Sequence, residues 1–295
     1  MNGFLNIDKP AGMTSHDVVA RVRRALRTRR AGHAGTLDPD AVGVLVVAVG
    51  QATRLLPDLP IEPKEYVARI AFGAATSTED ASGRVTQEAD ASELTETTVR
   101  TALPRFLGTI PQVPPMVSAL HHQGRRLYEL AREGVEVIRE ARTVTIHRLD
   151  FSDFTPGVRA FGTLSVVCGG GTYIRTLCKD LGEAVGLPAH MAALTREAVG
   201  GFRRENAVPL VDLRPEALIP AETALGMPVV RIDDAQFGRV RHGMAIDLDP
   251  ATVPPESPDG GLAVALLHGE RLCALGRYDK GRCQPFKVFP PEEGV

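Results

Sequence analysis

The sequence predicts an α+β fold: a mixed, largely antiparallel sheet with helices and loops around a cleft, followed by a small β-rich region. Three observations predict it. Strand-like and amphipathic helical runs follow one another without the regular β–α–β rhythm of a parallel sheet. No glycine-rich dinucleotide fingerprint appears in the chain. After Pro220 the texture changes to short apolar runs separated by glycines and prolines.

In chain order, FLNIDKPAGMTS reads as a short strand and a Pro-Ala-Gly turn. Thr14 or Ser15 can cap a helix over HDVVARVRRALR, with Val18, Val19, Val22, Ala25 and Leu26 on its apolar face. AVGVLVVAVG is apolar at nearly every position, so periodicity leaves a buried strand and a short buried helix both open. KEYVARIAFG alternates Tyr66, Ala68, Ile70 and Phe72 against Val67, Arg69 and Ala71, the pattern of a strand. TSTEDASG is a polar loop, ASELTETTVRTALPRFLG a capped helix, and RRLYELAREG a short helix closed by Gly134. RTVTIHRLDFSDF and RAFGTLSVVCGG read as neighbouring antiparallel strands. GTYIRTLCKDLGEAVG is a helix with Ile174, Leu177, Leu181 and Val185 on one side, and HMAALTREAVGGF predicts a further helix and a turn. PVVRIDDAQFGRVRHGMAI, GGLAVALLHGERLCALGRY and CQPFKVF read as short strands. These runs divide the chain into residues 1–226 and a small domain over 227–295.

The chain has 295 residues and four cysteines, none in a Cys-x2-Cys pair, which argues against a structural zinc site. The longest apolar stretch, about ten residues, is too short to span a bilayer. With few cysteines and no signal-like segment, the expectation is a soluble, cytoplasmic protein without metal or cofactor. Nothing in the sequence demands more than a monomer. The net charge of −2 hides segregation: RVRRALRTRR, residues 21–30, holds six arginines. Such a block is either a solvated face or a surface that contacts phosphates.

The stretch GHAGTLDPDAVGVL, residues 32–45, sets a histidine, two glycines and two acids before the apolar run. Asp38 before proline is commonly a turn residue whose side chain accepts backbone N–H bonds. DPDAV also fits the D-x-D-x-[TV] pattern of aspartyl-phosphate phosphatases, but that motif follows an apolar strand, and here GHAGTL precedes it. Asp38 can otherwise act as a nucleophile or acid/base group on an organic substrate without metal.

GHAGTLDPDAVGVL resembles the active-site loop of the pseudouridine synthases, in particular the bacterial branch acting on uridine 55 in the T-loop of tRNA. LNIDKPAGMTSHDVV, KEYVARIAFGAATSTEDASG, QVPPMVSALHHQGRRLYELAREG, GTYIRTLCKDLG and LTREAVGGF resemble further family blocks in the same order, over most of residues 3–203. The resemblance places the family's nucleophilic aspartate on Asp38, its active-site tyrosine on Tyr66 and its arginine on Arg175. Tyr173 lines the same pocket, Asp80 matches the acid of the TEDASG loop, and Leu194 matches a leucine set against the flipped base. His33 matches the histidine that takes the vacated place in the T-loop stack. The C-terminal region resembles a PUA-type RNA-binding domain. Gly169 and Gly170 stand where the family usually has serine and lysine, and His121 where it usually has lysine; both changes remove positive charge from the presumed RNA surface.

The implied reaction breaks an N-glycosidic bond and forms a carbon–carbon bond with no redox change, so it calls for neither cofactor nor metal. An aspartate nucleophile must stay ionised while RNA closes over it, and a guanidinium such as Arg175 opposes that desolvation. Flipping a stacked base costs a few kcal/mol, which a stacking His33 would offset. An alternative reading is an RNA-binding folding factor that remodels tRNA without needing the chemistry.

Overall fold

The computed structural model describes residues 1–118, 120–122, 124–127, 130, 133–135, 137–253 and 261–289. Strands β1 (Gly3–Lys9), β2 (Ala31–Ala34), β3 (Val42–Val49) and β4 (Lys64–Phe72) come first. Two short pairs follow, β5 (Ala74–Thr76) with β6 (Val85–Glu88), and β8 (His121–His122) with β9 (Arg125–Arg126), flanking β7 (Gly108–Gln112). Then come β10 (Arg142–Thr155), β11 (Ala160–Cys168), β12 (Ala189–Val199), β13 (Phe202–Arg203) and β14 (Val208–Pro209). The main sheet has ten strands, in the order β14-β1-β3-β12-β4-β11-β10-β7, with β2 on β3 and β13 on β12. Among the described residues, only β1–β14 and β3–β12 pair in parallel within it.

β3 is a strand, which the sequence left open. Val44, Val46 and Ala48 pack into one apolar cluster, and Leu45, Val47 and Val49 into another. A strand buried on both faces shows no alternation. β4 alternates as expected, with Tyr66, Ala68, Ile70 and Phe72 buried in the main cluster.

The segment HMAALTREAVGGF is not a helix but the central strand β12. Its register against β4 shifts between Met191 and Ala193. That irregularity puts Met191 and Leu194, three residues apart, into the same core, which imitates helical spacing. The helix Ile174–Ala184 forms as expected and buries Ile174, Leu177 and Leu181 against the sheet. In the helix Ser15–Ala25, Thr14 caps the N-terminus in a reciprocal capping box with Asp17. Ala25 is exposed, so the apolar face there is Val18, Val19, Val22 and Leu26, and all six arginines of residues 21–30 are exposed. The helix predicted over 125–134 includes residues outside those described, and its first two residues form β9 instead.

A second sheet has the order β15-β17-β18-β19-β16, from β15 (Val229–Ile232), β16 (Ile246–Asp247), β17 (Leu262–His268), β18 (Arg271–Asp279) and β19 (Arg282–Val288). Residues 234–240, expected as strand, form a helix instead, because Asp233 and Gln236 make a second capping box. β17 feeds two cores through its alternation. Val264 and Leu266 face a cluster of this sheet's own, while Ala265 and Leu267 join Val44 and Val46 of the main sheet and Leu55 of the helical turn that follows β3.

Candidate active site

The segment between β2 and β3 is fastened from below. Ser15 Oγ donates to the Leu37 carbonyl and accepts from the Leu37 amide, at 3.2 and 2.9 Å. Lys9, fully buried, donates to the carbonyls of Pro10 and Pro39 at 2.9 and 2.8 Å. Its ammonium is pushed down to about 8 by burial, against the pull of Asp40 and Asp38. The Ala41 amide closes the Asp-Pro turn on the Asp38 carbonyl. Gly43, at φ 101°, lies against β12, where a Cβ would stand 2.2 Å from the Arg196 carbonyl oxygen. Only glycine satisfies both conditions.

So held, Asp38 points at Arg175 in a two-point contact. Arg175 Nε lies 3.0 Å from one carboxylate oxygen, and Nη2 donates to the other at 3.2 Å. The Arg175 side chain is 5% exposed and Asp38 34%, so the pair is rooted in the interior with its acid at the rim. Nη1 and Nη2 also donate to the carbonyls of Thr78 and Val117. Asp80 stands on the far side, 3.8 Å from Nη1. Its other oxygen accepts from Thr78 Oγ1, Ser82 Oγ and the Ser82 amide, which shapes the polar loop. That loop docks on β12 through Ala81 and Met191. Burial raises the Asp38 carboxyl above the usual aspartate range; Arg175 opposes this and Asp80 adds to it.

Tyr66 sits on β4 with 8% exposure, its register partners being Val166 on β11 and Arg196 on β12. Burial pushes its phenol upward, and the Asp38 charge adds to that. Tyr173 precedes the helix carrying Arg175, and the buried Gln112 side chain bonds its amide and its carbonyl. Leu194 is buried on β12, two residues before Arg196. His33 lies on β2 edge-on to His16, with ring centroids 5.4 Å apart. Its Nδ1 is buried without a hydrogen-bond partner among the described residues. Burial, then His16 and Arg196, lower its pKa, which favours a neutral, flat ring.

The structure thus joins Asp38, Arg175, Asp80 and Tyr66 electrostatically, with Tyr173 capping the helix of Arg175 and Leu194 on β12, the strand paired with that of Tyr66. His33 precedes Asp38 by five residues, on β2 rather than on the loop itself, and turns its ring toward His16. Among the described residues no group of three or more His, Cys, Asp or Glu is spaced to hold a metal ion. A carboxylate at the rim paired with a buried guanidinium, beside a tyrosine and an apolar strand, is equipped for nucleophilic or proton-transfer chemistry on a flat organic ring.

Sequence reasoning passed over Lys9, Lys64 and Arg196. Arg196 is 1% exposed, and in sequence it sits between Thr195 and Glu197, where nothing marks it as buried. The departure at 169–170 has a local counterpart. The Gly170 amide donates to Glu62 Oε1 at 2.8 Å, and a Cβ at 170 would stand 2.4 Å from that oxygen. The side chain of His121 lies outside the described residues.

The sequence matches the family model "TruB family pseudouridylate synthase (N terminal domain)" over residues 23–174. It matches "tRNA pseudouridylate synthase B C-terminal domain" over 175–227. The chain belongs to the TruB family of pseudouridylate synthases. One relative, tRNA pseudouridine synthase B of Symbiobacterium thermophilum, is 52% identical over 248 residues, 83% of each chain. The TruB relative of the same name from Synechococcus sp. is 44% identical over 97% of this chain and 98% of its own length. The fold is shared with a chain in a solved H/ACA RNP bound to a substrate RNA containing 2′-deoxyuridine. That likeness has TM-score 0.66 and 27% identity, over 99% of this chain and 86% of the other. As a TruB-family protein the chain is an isomerase.

Proposed function

We propose that this chain converts uridine 55 in the T-loop of tRNA to pseudouridine, with Asp38 as the nucleophile. The observation that carries the reading is the two-point contact of the buried Arg175 with Asp38, in a chain whose relatives are tRNA pseudouridine synthases. In the reaction the N1–C1′ bond breaks, the base turns, and a C5–C1′ bond forms. The C5 hydrogen leaves as a proton and N1 ends protonated. The Asp38 carboxylate can engage C1′ or the base, or support a glycal formed by loss of the 2′ proton. Arg175 keeps that carboxylate ionised when RNA excludes water. Tyr66 stacks on the uracil and handles a proton, while Tyr173 and Leu194 line the pocket. Asp80 holds Arg175 from the side away from Asp38. His33, neutral and flat, fills the place the flipped base leaves, which offsets part of the few kcal/mol that flipping costs.

Residues 1–226 carry the chemistry in this reading, and 227–295 act with the exposed arginines of 21–30 as an RNA-binding region. Release of tritium from tRNA labelled at uridine C5 tests it, because the new carbon–carbon bond must expel that hydrogen. The unmutated chain should release tritium, and Asp38→Asn should release none while still binding tRNA. Tight binding without release by either would leave a tRNA-remodelling protein and sink the isomerase.

A further inference from the structure

Arg196 is buried deeper than Arg175 yet touches no acid. It lies mid-strand on β12, in register with Tyr66 on one side and Gly43 on the other. Its Nε donates to the Val44 carbonyl at 2.7 Å, Nη1 to Thr36 at 3.3 Å and Nη2 to Gly35 at 3.1 Å. As cross-strand register partners, Arg196 and Tyr66 direct their side chains to the same face of the sheet. No carboxylate lies within ion-pair distance of it among the described residues. Lys64 and Lys9 add two more buried cations nearby.

A buried cation without an acid partner is costly. The three carbonyls match the N–H donors of the guanidinium fork, which a glutamine amide with its two N–H groups could not do, but they supply no counter-charge. An anion forming beside it would. The charged or titratable groups facing the Tyr66 hydroxyl are Arg196 from β12, Cys168 from β11 and Asp38 from the loop. Of these, only Arg196 favours a phenolate.

We propose that Arg196 is a positioning residue for the isomerisation: it fixes the Tyr66 hydroxyl against the reacting uridine and stabilises the negative charge that oxygen carries between two proton transfers. The proposal rests on the isomerase reading above. Tyr66 gives its phenolic proton to the detached uracil anion, whose N1 must end protonated. After the C5–C1′ bond has formed, the phenolate accepts the C5 proton, the C–H electron pair returns to the ring, and the phenol is restored. The phenolic hydrogen then exchanges with water, so labelled C5 hydrogen still appears in solvent.

The test replaces Tyr66 in the full chain with a fluorotyrosine, whose more acidic phenol is followed by its 19F resonance. Arg196→Met should raise the titration midpoint by about one unit or more, since a facing cation lowers an acid by about 1–3 units. Arg196→Lys should restore most of that shift. In the chain with natural Tyr66, kcat for tritium release should fall about 10²–10⁴-fold in Arg196→Met, the range a lost acid–base contribution spans. KM for tRNA should hardly change. A midpoint indifferent to Arg196→Met overturns the proposal and leaves Arg196 a loop anchor. Should both variants fail to fold, the fluorotyrosine chain with Arg196 intact decides: the Arg196 guanidinium 15N resonances must move with the phenol's midpoint, and a guanidinium that does not move overturns the proposal. The titration needs no turnover, so loss of the isomerase reading itself would appear separately, as absent tritium release from the unmutated chain.

Discussion

The cleft end of the main sheet and the C-terminal five-stranded sheet bury different chemistry. Among the described residues, every buried polar or charged side chain lies at or before residue 196, and they include Lys9, Lys64, Arg175 and Arg196. The C-terminal sheet packs a core of Val, Ile, Leu, Ala, Tyr and cysteine side chains with no buried charge. Both regions are strands with short loops, so secondary structure does not separate them. Charge burial works against stability and is tolerated where a reaction needs it, whereas a sheet with no reaction in its core keeps charge at its surface.

The sharpest way to break this comparison is Asp38→Asn. Tritium release should fall by at least about four orders of magnitude, the scale on which loss of a nucleophile acts in other enzymes. Thermal unfolding should show an equal or higher Tm. The sign follows from the carboxyl being raised in the folded chain: folding favours its protonated form, so the ionised group opposes folding at neutral pH, and that opposition fades as pH falls through the folded pKa. A clear drop in Tm would mean that the Arg175 pair stabilises the fold outright.

Arg175→Met should lower kcat by about 10²–10⁴-fold. The rate of the unmutated enzyme should already fall in acid above the ordinary aspartate range, because Asp38 must be ionised, and losing Arg175 moves that fall to higher pH. A pH–rate profile of each protein measures both limbs. An unmoved acid limb would separate Arg175 from Asp38.

On the other side of the comparison, Leu266→Ala removes a fully buried side chain from the C-terminal core. It should cost about 2–5 kcal/mol in urea unfolding, leave kcat unchanged and raise the Kd for tRNA. A fall in kcat would show that the C-terminal sheet shapes the catalytic cleft.

The smallest effect is expected at the seam between the sheets. There Lys287 pairs with Asp58, and Arg54 lies over the Phe289 ring with 5.2 Å from its Cζ to the centroid. Lys287→Met should change stability by about 1 kcal/mol or less, because partly exposed ion pairs contribute little. A larger loss, measured by calorimetry, would make this seam a specific latch.

Most elements were legible because their patterns are local. Alternation in KEYVARIAFG, the amphipathic Ile174–Ala184 helix and the Asp-Pro turn follow from neighbours in sequence. β12 was not legible as a strand, because its irregular register breaks the alternation that would identify it. Residues 234–240 were misread although their helix signal is local, the Asp233–Gln236 capping box that opens them.

By itself the sequence determined the α+β class, the stretch that carries His33 and Asp38, and the family motifs that single out Tyr66 and Arg175. Each depends on residues adjacent in the chain or on the order of short blocks. Only tertiary structure decided that Arg175 grips Asp38 across 137 residues and that Arg196 reaches the Gly35 and Thr36 carbonyls across some 160. It also decided that Lys9 braces the Asp38–Pro39 turn. The physical reason is that the energy of a charge depends on what replaces its water, and those replacements come from strands far apart in the chain.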